Sequence, residues 1–314
     1  MNSRGLNLVS DIYWYLILLS GILYSWFLIL AAGKILPAMA MQVIFLLDAL
    51  KFDNSIVGLV TSRLFLVNVV PGMLLLVLIV KYVKVMVGSV GNWLTTQRTI
   101  KNLGIEGVGV NYIWFRSKEL AIFTAGFVRP HVYISSAVFG VHTQEEVRVM
   151  IEHEINHKNN HHPVKIWIAN FVRSILLPIP GKNWLIDNYL TLVEVASDRF
   201  AEEKVNNKRP LVSALLKFQS QYFAPGVSYF NSQSERIKIL VGQKRQQLRI
   251  PMAYYSLLLV MIFSGTVLVK NTNMFYDCQH LLECVKLLIT PDSQPLVTLV
   301  NPVSNVFLTS DHCL

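Results

Sequence analysis

His153-Glu154-Ile155-Asn156-His157 and, further along, Glu194-Val195-Ala196-Ser197-Asp198 are the stretches on which the reading of this chain turns. On a helix, positions i and i+4 share one face, so His153 and His157 can hold one metal ion between neighbouring turns. Glu154 is rotated off that face and reaches a water activated by the metal rather than the metal itself. Two imidazoles, a carboxylate base and an open coordination position are the geometry of a zinc hydrolase. Zinc needs a third protein ligand, and Glu194 supplies it. Asp198 lies one turn further along the same face, placed to orient a ligand histidine from behind.

A five-residue pattern with two free positions also recurs by chance, and its surroundings must weigh against that reading. Thr143 with Glu146 three residues on has the form of a capping box, and Val147, Met150, Ile151 and Ile155 then give a helical apolar face. The second element falls in a helical stretch over residues 184–205, after a gap long enough for a return helix. His161 and His162 compete for the third ligand position. A three-histidine site of the extended type needs its last histidine where Pro163 stands, and the glycine that would break the helix is missing. The expected set is therefore His153, His157 and Glu194, one Zn2+ per chain. His161 and His162 are then either ordinary polar residues at a helix end or supports behind the ligands.

The surroundings are apolar. The chain has 314 residues, of which 53% are hydrophobic, and a mean hydropathy of +0.45, too high for an ordinary soluble enzyme. Three runs account for it: residues 12–32, 64–80 and 252–269, the second interrupted by Asn68, Pro71 and Gly72 and the third stopped by Lys270. Each has about the length a helix needs to cross a bilayer. Tyr13, Trp14, Tyr15, Trp26, Tyr254 and Tyr255 sit near the run ends, as interfacial aromatics do. A cleaved signal peptide is the competing reading of the first run, with Arg4 before it and Ala38-Met39-Ala40 as the cleavage site. The run is longer than a usual signal core and ends well before that site, which favours a retained span.

Charge then orients the chain. The formal net charge is +9, and the whole positive excess falls between Lys81 and Ile250. Lys81 and Lys84 follow the second run directly, while Lys244, Arg245 and Arg249 directly precede the third. Those flanking charges place the intervening domain in the cytoplasm. Anionic headgroups are the nearest partner for the basic surface, and no DNA-reading motif is present, so direct nucleic-acid binding is not expected. All three cysteines, Cys278, Cys284 and Cys313, follow the third run, on the side where disulfides persist. Cys278 and Cys284 either pair or stay free thiols. The expected order is an N-terminal cytoplasmic end (1–11), a span (12–32), an extracytoplasmic loop (33–63), a span (64–80), a cytoplasmic metal domain (81–250), a span (251–270) and an extracytoplasmic tail (271–314).

Within the domain, residues 108–114, 120–124 and 131–135 are short and rich in β-branched or aromatic residues. They predict a small sheet beside the metal helix, giving an α+β membrane protein, mainly helical, with about three transmembrane helices. In zinc peptidases of this geometry an edge strand binds the substrate backbone by strand addition, and residues 121–124 or 131–135 could serve. Residues 164–177 form an apolar helix interrupted by Lys165, Asn170 and Arg173. It either lies against or dips into the membrane, or is a buried core helix.

The run Gly126-Phe127-Val128-Arg129-Pro130-His131-Val132-Tyr133-Ile134 resembles the strand signature of the BlaR/MecR-type membrane zinc peptidases, where it precedes a Glu-rich helix start and HExxH, as here. Pro163 sits where that family has a proline after its metal helix. Glu194 and Asp198 match its ExxxD, and Arg236-Ile237 resembles its later Arg-Ile element. The likeness covers residues 108–240 and rests on the combination. It implies a gluzincin-like domain in the bacterial inner membrane, performing zinc-dependent proteolysis on the cytoplasmic side. The implied substrate is a transcriptional repressor or the protease itself. The large penicillin-binding sensor domain is absent, so β-lactam sensing is not implied. The related HtpX-type quality-control peptidases share HExxH and ExxxD but carry a His-Pro where Phe230-Asn231 stand here. A non-catalytic membrane sensor is the third reading. In the peptidase readings Glu154 is the general base, and Arg236 and Tyr229 are the candidates for stabilising the oxyanion.

Overall fold

The computed structural model describes residues 2–51, 63–176 and 181–221. The third apolar run, the three cysteines, and Tyr229 and Arg236 lie outside the described residues. Those described fall into two compact units, one of residues up to Ser25 together with those from Ile79 onward, the other Trp26–Leu78.

Two helices hold the first two apolar runs: α1 (Ser3–Lys51) and α2 (Arg63–Lys101). Both are long and apolar enough to cross a membrane. At 1.5 Å per residue, the 49 residues of α1 extend about 73 Å, over twice the roughly 30 Å of a hydrocarbon core. The helix runs on past Ala32, where the first apolar run ends, so residues 33–51 are helical rather than irregular chain. Likewise α2 does not stop at the end of its apolar run but continues through Lys81 and Lys84 to Lys101. Pro37 and Pro71 lie inside these helices, tolerated where neighbouring groups re-satisfy the freed carbonyls. In the Trp26–Leu78 unit the two helices approach closely at Gly72. A Cβ there would come within 2.4 Å of the Met39 sulfur, so a residue without a side chain sets the interhelical distance.

The other unit holds the sheet. Its strands are β1 (Ile105–Val108), β2 (Tyr112–Phe115), β3 (Ile122–Ala125) and β4 (His131–Ser135), in the order β1-β2-β4-β3. The stretch expected as one strand over 108–114 is broken in two. Gly109 donates its N–H to the Tyr112 carbonyl, and a tight hairpin folds β1 back antiparallel on β2. β4 pairs parallel with β2 and antiparallel with β3. It is therefore central, and the expectation that residues 131–135 could be a substrate-binding edge is corrected. Its burial agrees, since Val132 and Ile134 are fully covered and Tyr133 nearly so. Gly126 allows the β3–β4 connection. Its φ is +113°, and a Cβ would lie 2.7 Å from the Arg129 carbonyl oxygen, a conformation and a closeness only glycine accepts.

Among the described residues, five more helices belong to this unit: α3 (Ser136–Val141), α4 (Gln144–Asn159), α5 (His162–Ile175), α6 (Lys182–Val205) and α7 (Arg209–Gln221). α4 lies across the sheet, with Val147, Val149 and Met150 packed into a core of Leu120, Ile134, Val138, Ala201, Leu211 and Ala214. Tyr133, Phe115 and Ala125 cover the opposite face together with Ile100 and Leu103. The N-terminal part of α1 belongs to the same unit and is pinned to it by polar contacts. The Ser3 hydroxyl and N–H both donate to Glu203. Asn7 bonds Asn156, and Asp11 pairs with Lys165. Further along, a Cβ on Gly21 would lie 2.7 Å from a Val172 methyl.

Candidate metal centre

α4 begins where the sequence predicts. Thr143 caps it, its hydroxyl accepting from the Glu146 N–H while the Glu146 carboxylate accepts from the Thr143 N–H. This satisfies two of the donors that a helix start leaves open. Three turns on, His153 and His157 are both buried. Their rings converge, with the two Nε2 atoms 3.0 Å apart.

α6 runs alongside and brings the second motif. Glu194 Oε2 is 3.5 Å from His153 Nε2, and Oε1 is 3.6 Å from His157 Nε2. One ligand atom from each of the three residues lies within 4.8 Å of the others. Tetrahedral zinc with bonds of about 2.0–2.1 Å holds its ligand atoms roughly 3.3 Å apart. The donor types and spacing thus fit a metal ion, and His153, His157 and Glu194 form a group able to hold one. Glu194 keeps 26% of its side chain exposed, which leaves a side open to solvent.

Behind the ligands the supports differ. Asp198 is fully buried, and its carboxylate sits 2.9 Å from His153 Nδ1, turning Nε2 of that ring toward the centre. His157 Nδ1 instead faces His162 Nδ1 at 3.0 Å. His162 is 1% exposed, so the reading of it as an ordinary polar residue at a helix end is corrected. Burial first, and then the neighbouring His157, push its pKa down to about 2, so the ring is neutral. His161, exposed and in a left-handed conformation with φ 54°, makes the turn that folds His162 back onto α4.

The Glu154 side chain meets the sheet. The Thr124 hydroxyl on β3 lies 2.7 Å from the Glu154 Oε2 and 2.9 Å from its backbone carbonyl. β3 pairs only with β4 among the described residues. Two residues within the motifs do work that the motif pattern does not reveal. Asn156 and Ser197 are buried and bonded to each other at 2.9 Å, which locks α4 to α6 between the ligand pairs. Polar residues at motif positions free to be apolar were the only signal for them.

No known family model matches the chain, and no curated protein matches it either.

Proposed function

We propose that the chain is an integral-membrane zinc endopeptidase that cleaves a protein substrate, a repressor-like cytoplasmic protein or a copy of itself. The observation that carries the reading is the convergence of His153 and His157 of α4 with Glu194 of α6, with Glu154 next to His153 along α4. Two imidazoles and one carboxylate with one open side are a catalytic rather than a closed structural donor set. A zinc ion held there supplies Lewis acidity, acidifying water and polarising the scissile carbonyl. Glu154 takes the proton of the attacking water at its carboxylate and returns it to the leaving amine. The Thr124 hydroxyl holds that carboxylate in place. Asp198 keeps His153 in the tautomer that presents Nε2. Among the described residues one edge of β3 has no paired strand, and it offers backbone groups for strand addition of an extended substrate segment. The resemblance to the BlaR/MecR-type peptidases and the two membrane-length helices support the same reading. The resemblance and the charges at Lys81 and Lys84 are the support for a place in a bacterial inner membrane with the site facing the cytoplasm.

Zinc content and self-cleavage of the detergent-purified protein, measured beside Glu154→Gln, test it. One zinc per chain in both, with fragments from the wild type alone, is the expected result. Zinc in neither overturns the ligand assignment. Equal fragmentation of both overturns the role of Glu154.

A further inference from the structure

His162 occupies the first turn of α5, followed by Pro163 and preceded by the left-handed turn at His161. That arrangement directs its ring back against the metal helix instead of into solvent. The two rings stand nearly edge to face, 5.0 Å between centroids and 75° between planes. The nitrogens that meet are both Nδ1. His157 turns its Nε2 toward His153 and Glu194, and an imidazole that coordinates through Nε2 must carry its proton on Nδ1. That N–H needs an acceptor, and the atom in front of it is His162 Nδ1. His162 must then be protonated on Nε2, an atom that is buried and has no hydrogen-bond partner among the described residues.

We propose that His162 is the positioning residue for the second histidine ligand, a neutral acceptor that holds His157 with Nε2 toward the metal. The inference rests on the metal reading of His153, His157 and Glu194. The two ligand imidazoles are thereby oriented by unlike partners, His153 by the charged Asp198 and His157 by an uncharged ring. Charge gives the reason. A divalent cation with Glu194 and Asp198 ionised is neutral as a set, and a carboxylate in place of His162 would leave an uncompensated negative charge in a buried site.

The test compares zinc affinity of the wild type, His162→Leu and His162→Asn in detergent, by competition with a chromophoric chelator. Leucine fills much of the space without an acceptor, whereas the asparagine carbonyl can stand where Nδ1 does. The expected result is roughly 10–100-fold weaker zinc binding for His162→Leu, the usual effect of losing a support behind a ligand histidine, and His162→Asn within about threefold of wild type. Binding by His162→Leu equal to wild type, or an equal loss in both variants, overturns the proposal. The wild type labelled with 15N at histidine gives a readout that requires no variant to fold. Zinc-loaded protein should show His157 protonated on Nδ1 and His162 on Nε2 alone; a proton on His162 Nδ1 overturns the assignment. Failure of the wild type to bind zinc brings down the metal reading and this one with it. Normal wild-type binding that is indifferent to His162 brings down this one only.

Discussion

Thr124 illustrates how much of the centre's precision comes from residues outside its motifs. Its hydroxyl is the sheet's contact with the proposed base, and a carboxylate that must accept and return a proton needs to stay within a few tenths of an ångström of its working position. Thr124→Val keeps the β-branched shape that suits a strand and removes only the hydroxyl. It should lower kcat about tenfold with zinc affinity unchanged, the signature of lost positioning rather than of a lost ligand. Steady-state kinetics on a cleavable substrate, alongside zinc titration, check this; an unchanged kcat would leave Thr124 a structural residue. The candidate ligands were legible in the sequence because helix periodicity alone puts His153 beside His157 and Glu194 beside Asp198. Thr124 and His162 were not legible as contacts. The first depends on which strand ends at the metal helix and the second on the left-handed turn at His161, and neither follows from a local pattern.

At the scale of elements, helix starts read better than strands. The Thr143–Glu146 box is a local device, encoded within four residues and present as expected. Strand order is a long-range property, and the central place of β4 depends on how β2 and β3 flank it, so its β-rich sequence looked as suitable for an edge as for a core. Glu146 also does more than close the cap. Lys217 on α7 reaches it at 2.7 Å, and Ser213 donates to it as well, tying α7 to the start of the metal helix. Burial by itself would raise this carboxyl, but the hydrogen bonds from Lys217, Ser213 and Thr143 outweigh it and draw the pKa down to about 2. His142, whose pKa is lowered mainly by burial, lies on the same carboxylate at 3.3 Å. A depressed folded-state pKa contributes stability that is complete above the ordinary carboxyl value and lost as pH falls toward 2. The amount is about 2 kcal/mol once the partial exposure of Lys217 is allowed for. Thermal melts of the wild type should therefore fall between pH 4.5 and 2, and those of Glu146→Gln should be lower at neutral pH but fall less over that window. An equal fall in both would show that the tie contributes nothing.

The whole molecule places its chemistry by returning the chain to where it began. Ser3 is bonded to Glu203, Asn7 to Asn156 and Asp11 to Lys165, so the start of α1 belongs to the same compact unit as the metal helices. The chain leaves that unit at Ser25 and re-enters it at Ile79. In the proposed reading, charge sets the side. Lys81 and Lys84 stand at the point of return, and cationic residues flanking a span stay on the cytoplasmic face. Val110, at the tip of the β1–β2 hairpin, is 98% exposed and can report on that side without disturbing the core. With Cys278, Cys284 and Cys313 replaced by serine, Val110→Cys should resist a membrane-impermeant maleimide in intact cells and react fully once the membrane is opened. Cytoplasmic substrates such as a repressor are reachable only in that arrangement. Labelling in intact cells would put the centre on the outer face, and the substrate would then have to be sought among exported proteins.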